Sequence, residues 1–101
     1  MTIEIIQKED LSTLLIEGRL DTVTAKSFDV KIKEFLSLKS PKMVVDCSQL
    51  SYVSSSGLRC FLILQKSANA AGASLVLKGL SESIKEIFKI TGFASIFTIE
   101  E

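Results

Sequence analysis

A serine-rich polar stretch between two apolar segments is the feature that most constrains the fold of this chain. Residues 43–45 (Met-Val-Val) have the composition of a short buried strand, and residues 46–57 are mostly polar. Residues 58–65 are again apolar at helical spacing, and no glycine or proline follows before Gly72. We therefore predict a strand, a serine-rich turn and a helix in succession, with serine hydroxyls beside the free N–H groups of the first helical turn.

The rest of the chain alternates between short β-branched segments and amphipathic ones. Strands are predicted at residues 2–8, 11–17, 43–45, 75–77 and 96–99, and helical apolar stripes run over residues 25–36, 58–68 and 84–91. The first two strands are close enough in sequence for an antiparallel hairpin, and each strand–helix–strand unit gives parallel neighbours. The predicted fold is one α/β domain over residues 1–101, a mixed sheet of about five short strands packed with three or four helices.

Several local features of this fold are also predicted. Residues 18–21 are expected to form a turn, and Asp46 is expected to end the central strand. The central strand is expected to be covered on both faces, because residues 43–45 are apolar without alternation. Glu9 and Asp10 are expected in the hairpin turn, too far from Asp46 for the acidic cluster of a receiver-type phosphorylation site, so Asp46 is predicted to be a structural carboxylate.

Composition and missing residue types argue against several classes of protein. Twelve basic and twelve acidic residues cancel, so the basic excess typical of nucleic-acid-binding proteins is absent. The chain has no apolar run of membrane-spanning length and no secretion signal at its start, which predicts a cytoplasmic protein without membrane insertion. It contains no histidine, which argues against Ser-His-Asp and Cys-His catalysis and the common zinc sites. Without a nucleotide-binding glycine loop either, we predict a non-enzyme with no cofactor or metal, whose Cys47 and Cys60 are reduced and buried.

The serines at the predicted helix start have two possible roles. Ser54, Ser55 or Ser56 can cap the helix, or one of them can accept a phosphoryl group that the helix N-terminus would help to accommodate. Asp21 follows a strand that should lie beside the central strand. It can therefore reach the same end of the sheet, or cap the first helix.

Several segments together resemble one family. Residues 18–21 (Gly-Arg-Leu-Asp), 44–48 (Val-Val-Asp-Cys-Ser), 55–58 (Ser-Ser-Gly-Leu), 90–93 (Ile-Thr-Gly-Phe) and 96–97 (Ile-Phe) resemble the anti-sigma factor antagonists of the STAS domain family in order and spacing. The resemblance implies a bacterial partner-switching protein that binds an anti-sigma factor, a serine kinase, and so releases a sigma factor. It also implies that the kinase phosphorylates the chain and that a serine phosphatase reverses the modification.

The resemblance also implies which residues form the site. By position, Ser56 is the phosphoacceptor, and the partner-binding residues are Asp21, Ser54, Ser55, Ser56, Gly57 and Leu58. Ser54 stands where many phosphorylated members have an aspartate, which leaves open which of the three serines is modified, or whether any is. The alternative function is an unphosphorylated STAS scaffold or a regulatory subunit of a transporter or stress-signalling assembly.

Overall fold

The computed structural model describes residues 1–100, which form five strands and three α-helices. The strands are β1 (Thr2–Lys8), β2 (Leu11–Leu20), β3 (Lys42–Val53), β4 (Ser74–Lys78) and β5 (Thr98–Glu100). The helices are α1 (Ala25–Ser37), α2 (Ser55–Ala70) and α3 (Glu82–Ile90), and a short 3₁₀ turn (Phe93–Ser95) precedes β5. The predicted fold class is confirmed.

The strands lie in one sheet in chain order, with β1 antiparallel to β2 and every later pair parallel. Because each parallel connection is right-handed and the strands are added toward one edge, all three helices lie on the same face. Met43 and Val45 point into this helical layer and are buried, whereas Val44 points the other way and is only half-buried. The expectation that residues 43–45 are covered on both faces is therefore wrong, and the second face of the sheet is open.

Phenylalanine rings join the helices to one another in the core. Phe28 of α1 and Phe88 of α3 lie with their ring centroids 5.5 and 5.7 Å from that of Phe61 on α2. Phe97, just before β5, stands edge-on to Phe61 at 6.4 Å. Phe61 therefore contacts rings from both other helices and from the last crossover, as the apolar stripe of its helix predicted.

Two predicted boundaries between elements are wrong, and both lie at the same end of the sheet. β2 runs on through residues 18–20, where a turn was expected, and β3 runs seven residues beyond Asp46. These polar extensions pair with each other, with Gly18 opposite Leu50 and Leu20 opposite Val53, across two register shifts. Their strand geometry comes from mutual hydrogen bonding between segments about thirty residues apart, which local composition does not reveal.

The last strand also begins later than expected, because the 3₁₀ turn over Phe93–Ser95 displaces its start to Thr98. The helix ends agree better with the sequence. Ser81 caps α3 by accepting the Ile84 N–H at 3.3 Å, and Gly72 follows α2 with a left-handed φ of 72°.

Cys47 and Cys60 are free and buried, as predicted, and burial together with the Asp46 charge raises the pKa of Cys47 to about 12. Within the described residues no helix is both long and apolar enough to cross a bilayer.

Candidate functional site

The paired ends of β2 and β3 extend past the rest of the sheet and carry the candidate site. β1 pairs with β2 only as far as Glu17, and β4 pairs with β3 only as far as Asp46. Beyond these points β2 and β3 continue as a two-stranded ribbon, after which each turns into a helix. The Ser54 N–H donates to the Leu20 carbonyl at 2.8 Å, which ties the start of α2 to the end of β2. The loop before α1 and the first turn of α2 are thereby held side by side.

The structure separates the roles of the three serines. Ser54 is the N-cap of α2, since its backbone is extended and its hydroxyl oxygen accepts the Gly57 N–H at 3.2 Å. Ser55 and Ser56 are the first two residues of the helix. Ser55 is exposed and Ser56 is half-buried, with its hydroxyl 3.4 Å from the Thr22 hydroxyl. The capping role therefore belongs to Ser54, which leaves the hydroxyls of Ser55 and Ser56 available for other chemistry.

Replacing Ser54 with alanine is expected to lower the free energy of unfolding by about 1 kcal/mol, because the Gly57 N–H loses its acceptor. Urea denaturation measures this loss. Ser55→Ala, one residue further along and exposed, is the matched control and should change the free energy by less than about 0.5 kcal/mol. Equal stability of the two variants would contradict the assignment of the cap.

Gly57 lets α2 approach the strand ends closely. A Cβ at this position would lie 2.7 Å from Leu20 Cγ and 2.8 Å from Val53 Cγ2, both buried side chains. The next residue, Leu58, is only 8% exposed and packs into the core. The family resemblance placed both residues in the partner-binding surface, but both are buried. Their packing instead positions Ser56 at the rim of the sheet.

Gly57→Ala is expected to destabilise the fold by about 1–3 kcal/mol, because the added methyl group has no space between Leu20 and Val53. Combining it with Val53→Ala, which removes one of the two obstructing side chains, should cost less than the sum of the single changes. Thermal or urea unfolding of the three variants measures this coupling. If the two destabilisations were strictly additive, contact with Val53 would not be the reason why alanine is unfavourable at position 57.

Asp21 caps the turn that leads into α1, which is one of the predicted alternatives. Its carboxylate accepts the Val23 and Thr24 N–H groups at 3.0 and 3.1 Å, and its carbonyl accepts the Ala25 N–H at 2.8 Å, so Asp21 holds the turn from which the helix starts at Ala25. The hydrogen bonds to the carboxylate, foremost that from the Thr24 backbone, lower the pKa of Asp21, and the guanidinium of Arg19 adds a small effect. Asp21 is therefore ionised at neutral pH and shapes the loop that presents Thr22 to Ser56.

A shallow groove between α1 and α2 begins at Ser56. Its walls include Lys26 and Asp29 of α1 and Arg59 and Ile63 of α2. The first turn of α2 carries no acidic residue. Among the groove-lining residues that the structure describes, Asp29 is the one carboxylate. Added negative charge at Ser56 would therefore meet a helix N-terminus and two nearby cationic side chains.

Exposed apolar side chains lie around this groove. Val23, beside Thr22, is 83% exposed, and Ile63, on the groove wall, is 44% exposed. On the opposite face of the ribbon from Leu20 and Val53, the Arg19 guanidinium lies 4.2 Å from the centre of the Tyr52 ring, which is itself partly exposed. Val23 and Ile63 are therefore the exposed apolar side chains that a protein docked at the groove would cover.

The model of the STAS domain family matches residues 2–101 of this chain. The chain belongs to the STAS domain family. The anti-sigma-B factor antagonist of Listeria monocytogenes is 32% identical to it over 105 residues, which cover 99% of this chain and 89% of that protein.

Solved structures agree on the fold. TM1081 of Thermotoga maritima superposes with a TM-score of 0.90 at 20% identity, over 98% of this chain and 86% of that one. The unphosphorylated form of SpoIIAA, an anti-sigma factor antagonist, superposes with a TM-score of 0.76 at 16% identity, over 99% and 88% of the two chains. The phosphorylated form of SpoIIAA from Bacillus gives 0.74 at 16% identity, over 99% and 92%. At these identities the likeness establishes the STAS fold, and it leaves function to be argued from the site.

Sequence reasoning missed several residues of this STAS domain site. Thr22 and Val23 were not identified because their position depends on the loop that Asp21 holds. Arg59 and Ile63 were within reach of the sequence, because residues three and seven places after Ser56 share its helix face. Asp46 was identified correctly as structural: its carboxylate accepts the Ser48 N–H and hydroxyl at 3.0 and 2.7 Å.

Proposed function

We propose that this STAS domain is an anti-sigma factor antagonist whose partner binding is switched off by phosphorylation of Ser56. In its unmodified form it binds an anti-sigma factor that is also a serine kinase, and a sigma factor is thereby released. The kinase then phosphorylates Ser56, the complex dissociates, and a serine phosphatase restores the binding form. The position of Ser56 carries this proposal: it lies in the first turn of α2 without a capping duty, at the rim of a surface with exposed apolar side chains.

The local physics favours a switch that leaves the fold intact. A phosphoserine at the second position of α2 would carry nearly two negative charges beside N–H groups that have no carbonyl partner within the helix. Arg59 lies one turn further along, and the first turn holds no carboxylate to oppose the charge. The phosphorylated domain should therefore be about as stable as the unmodified one.

The same charge should disrupt docking. A protein that covers Val23, Ile63 and the neutral Ser56 hydroxyl would have to bury a dianion on a surface shaped for an uncharged group. Burying an unpaired charge at an interface is strongly unfavourable, and like-charge contacts add to the loss. The names of the relatives support this assignment, as does the resemblance to SpoIIAA, whose structure is known with and without phosphate.

The domain supplies the acceptor hydroxyl and a docking surface, and the kinase supplies the catalytic machinery. Phosphoryl transfer needs a nucleotide, magnesium and a group that receives the hydroxyl proton, all of which we assign to the partner. Since such a kinase works with cytoplasmic ATP, we place the exchange of partners in the cytoplasm.

Phosphorylation by the partner tests the proposal. The purified chain is used to capture proteins from a lysate of the source bacterium, and the captured kinase is then incubated with the chain, ATP and magnesium. Intact-mass analysis should show one added phosphoryl group on the wild-type chain and on Ser55→Ala, and none on Ser56→Ala. Modification of Ser56→Ala would refute the site, and capture of a transporter or a large STAS assembly without any phosphorylation would favour the unphosphorylated scaffold.

A further inference from the structure

The face of the sheet opposite the helices is uncovered within the described residues. Three rows of side chains cross its centre, and a shorter fourth row of Thr2, Glu17 and Gln49 follows beside the ribbon. The middle row contains no charge and consists of β-branched residues: Ile6, Thr13, Val44, Val76 and Thr98. The row toward the start of the parallel strands is basic and apolar: Lys8, Leu11, Lys42 and Ser74. The row on the other side is mainly acidic: Glu4, Leu15, Asp46, Lys78 and Glu100.

This face holds apolar side chains in contact with solvent. Ile6 is 43% exposed and Leu11 is 38% exposed, while Leu15, Val44 and Val76 are half-buried only by their neighbours in the sheet. A β-sheet with apolar residues on a face of this kind is usually packed against a second layer.

The arrangement of charges matches a second copy of the same face. A twofold axis along the middle row turns the basic row of one copy onto the acidic row of the other. Lys8 then lies opposite Glu4 of the second copy. In the same way Lys42 lies opposite Asp46, and each contact occurs twice by symmetry.

The uncharged positions match as well. Leu11 lies opposite Leu15 of the second copy, and the residues of the middle row each face their own counterparts. Ser74 lies opposite Lys78, so the one lysine in the acidic row meets no like charge. The two sheets would stack with their strands nearly aligned and antiparallel, about 10 Å apart, which is an ordinary packing of two sheets.

The charged groups that would pair are free to do so. Among residues 1–100, Lys8, Lys42 and Glu4 form no ion pair within the chain. Asp46 uses Oδ1 for Ser48, and no hydrogen bond from the described residues reaches its Oδ2. Pairing across the face therefore breaks no existing interaction.

We propose that this STAS domain forms a twofold-symmetric dimer through the open face of its sheet, with Lys8 and Lys42 of each copy paired to Glu4 and Asp46 of the other. A face five strands wide, with strands about 4.8 Å apart, covers on the order of 500 Å² per copy, which is small for a homodimer. The dimer is therefore expected to dissociate on dilution. It leaves the Ser56 surface free, because that surface lies along the helical layer, and it is independent of the proposed phosphorylation.

Reversing the charge of one residue of a proposed pair gives a sharp test. In Lys42→Asp the new aspartate would face Asp46 of an identical copy, and in Asp46→Lys the new lysine would face Lys42. Each variant alone should therefore associate at least about tenfold more weakly than the wild-type chain. In an equimolar mixture of the two variants, positions 42 and 46 again pair an acidic residue with a basic one, so a mixed dimer should form.

Sedimentation velocity over a range of concentrations up to several hundred micromolar measures the wild-type chain, the two variants, their mixture and a control variant. Lys66→Asp, an equal change of charge on an exposed position of α2, is the control and should dimerise like the wild-type chain. Recovery of dimer in the mixture would also show that both variants are folded. A wild-type chain that stays monomeric at every concentration would overturn the proposal and leave the face to a different protein. Dimerisation of Lys42→Asp alone, or failure of the mixture to associate, would overturn it equally.

Discussion

Replacing Phe61 with alanine is expected to lower the free energy of unfolding by about 3–5 kcal/mol, a large part of the stability of a domain of this size. Phe61 is fully buried, and its ring lies within 6.4 Å, centroid to centroid, of the rings of Phe28, Phe88 and Phe97. Removing it takes away the side chain that joins α2 to α1, to α3 and to the segment before β5. Three edge-on or tilted ring contacts are lost together with the buried area, and the cavity that remains is bordered by stiff aromatic groups.

Urea denaturation at 25 °C measures this effect through the midpoint and the slope of the transition. Ile63→Ala is the control on the same helix, because Ile63 is 44% exposed and its loss should cost less than about 1 kcal/mol. If Phe61→Ala cost no more than Ile63→Ala, the aromatic cluster would not be the centre of the core.

Ser56→Glu is expected to raise the dissociation constant for the anti-sigma factor by at least about 30-fold, or roughly 2 kcal/mol, because the interface must then bury an unpaired carboxylate. Its stability should match that of the wild-type chain or exceed it by a few tenths of a kcal/mol, since a negative charge in the first turn of a helix is favourable. The change would therefore separate binding from folding. Calorimetric titration of the purified partner measures the binding, and thermal unfolding measures the stability.

The chain offers a control that matches Ser56 in helical position. Ser83 is the second residue of α3, after the capping Ser81, just as Ser56 is the second residue of α2 after Ser54. Ser83→Glu adds the same charge at the same helical position, and we expect it to change the dissociation constant by less than about threefold. Equal losses of binding in the two variants would show that net charge, and not the position of Ser56, governs docking.

The helical part of the fold follows closely from the sequence. The apolar stripes placed α1, α2 and α3, and the periodicity put Phe28, Phe61 and Phe88 on their buried faces. Such patterns succeed because a helix satisfies its backbone hydrogen bonds within itself, so that only its buried face depends on the rest of the protein. The serine caps of α2 and α3 are equally local, although only the hydrogen bond from the Gly57 N–H shows that Ser54 is the cap among three adjacent serines.

The candidate site depended more heavily on tertiary structure. Sequence reasoning placed Ser56 at a helix start and Asp21 at the same end of the sheet, but it assigned Gly57 and Leu58 to a surface on which neither is exposed. It also missed Thr22 and its contact with Ser56, because that contact joins residues thirty-four positions apart.

The sequence by itself determined the class of fold, the order of its elements, the faces that its helices bury and the serine segment on which function depends. Only the tertiary structure decided how far β2 and β3 extend, which serine caps α2, what surrounds Ser56, and that one face of the sheet stays open. The physical reason is that the first set of properties depends on contacts within a turn or two of helix. The second set depends on pairing and packing between segments distant in sequence, which bring together groups whose proximity no local pattern records.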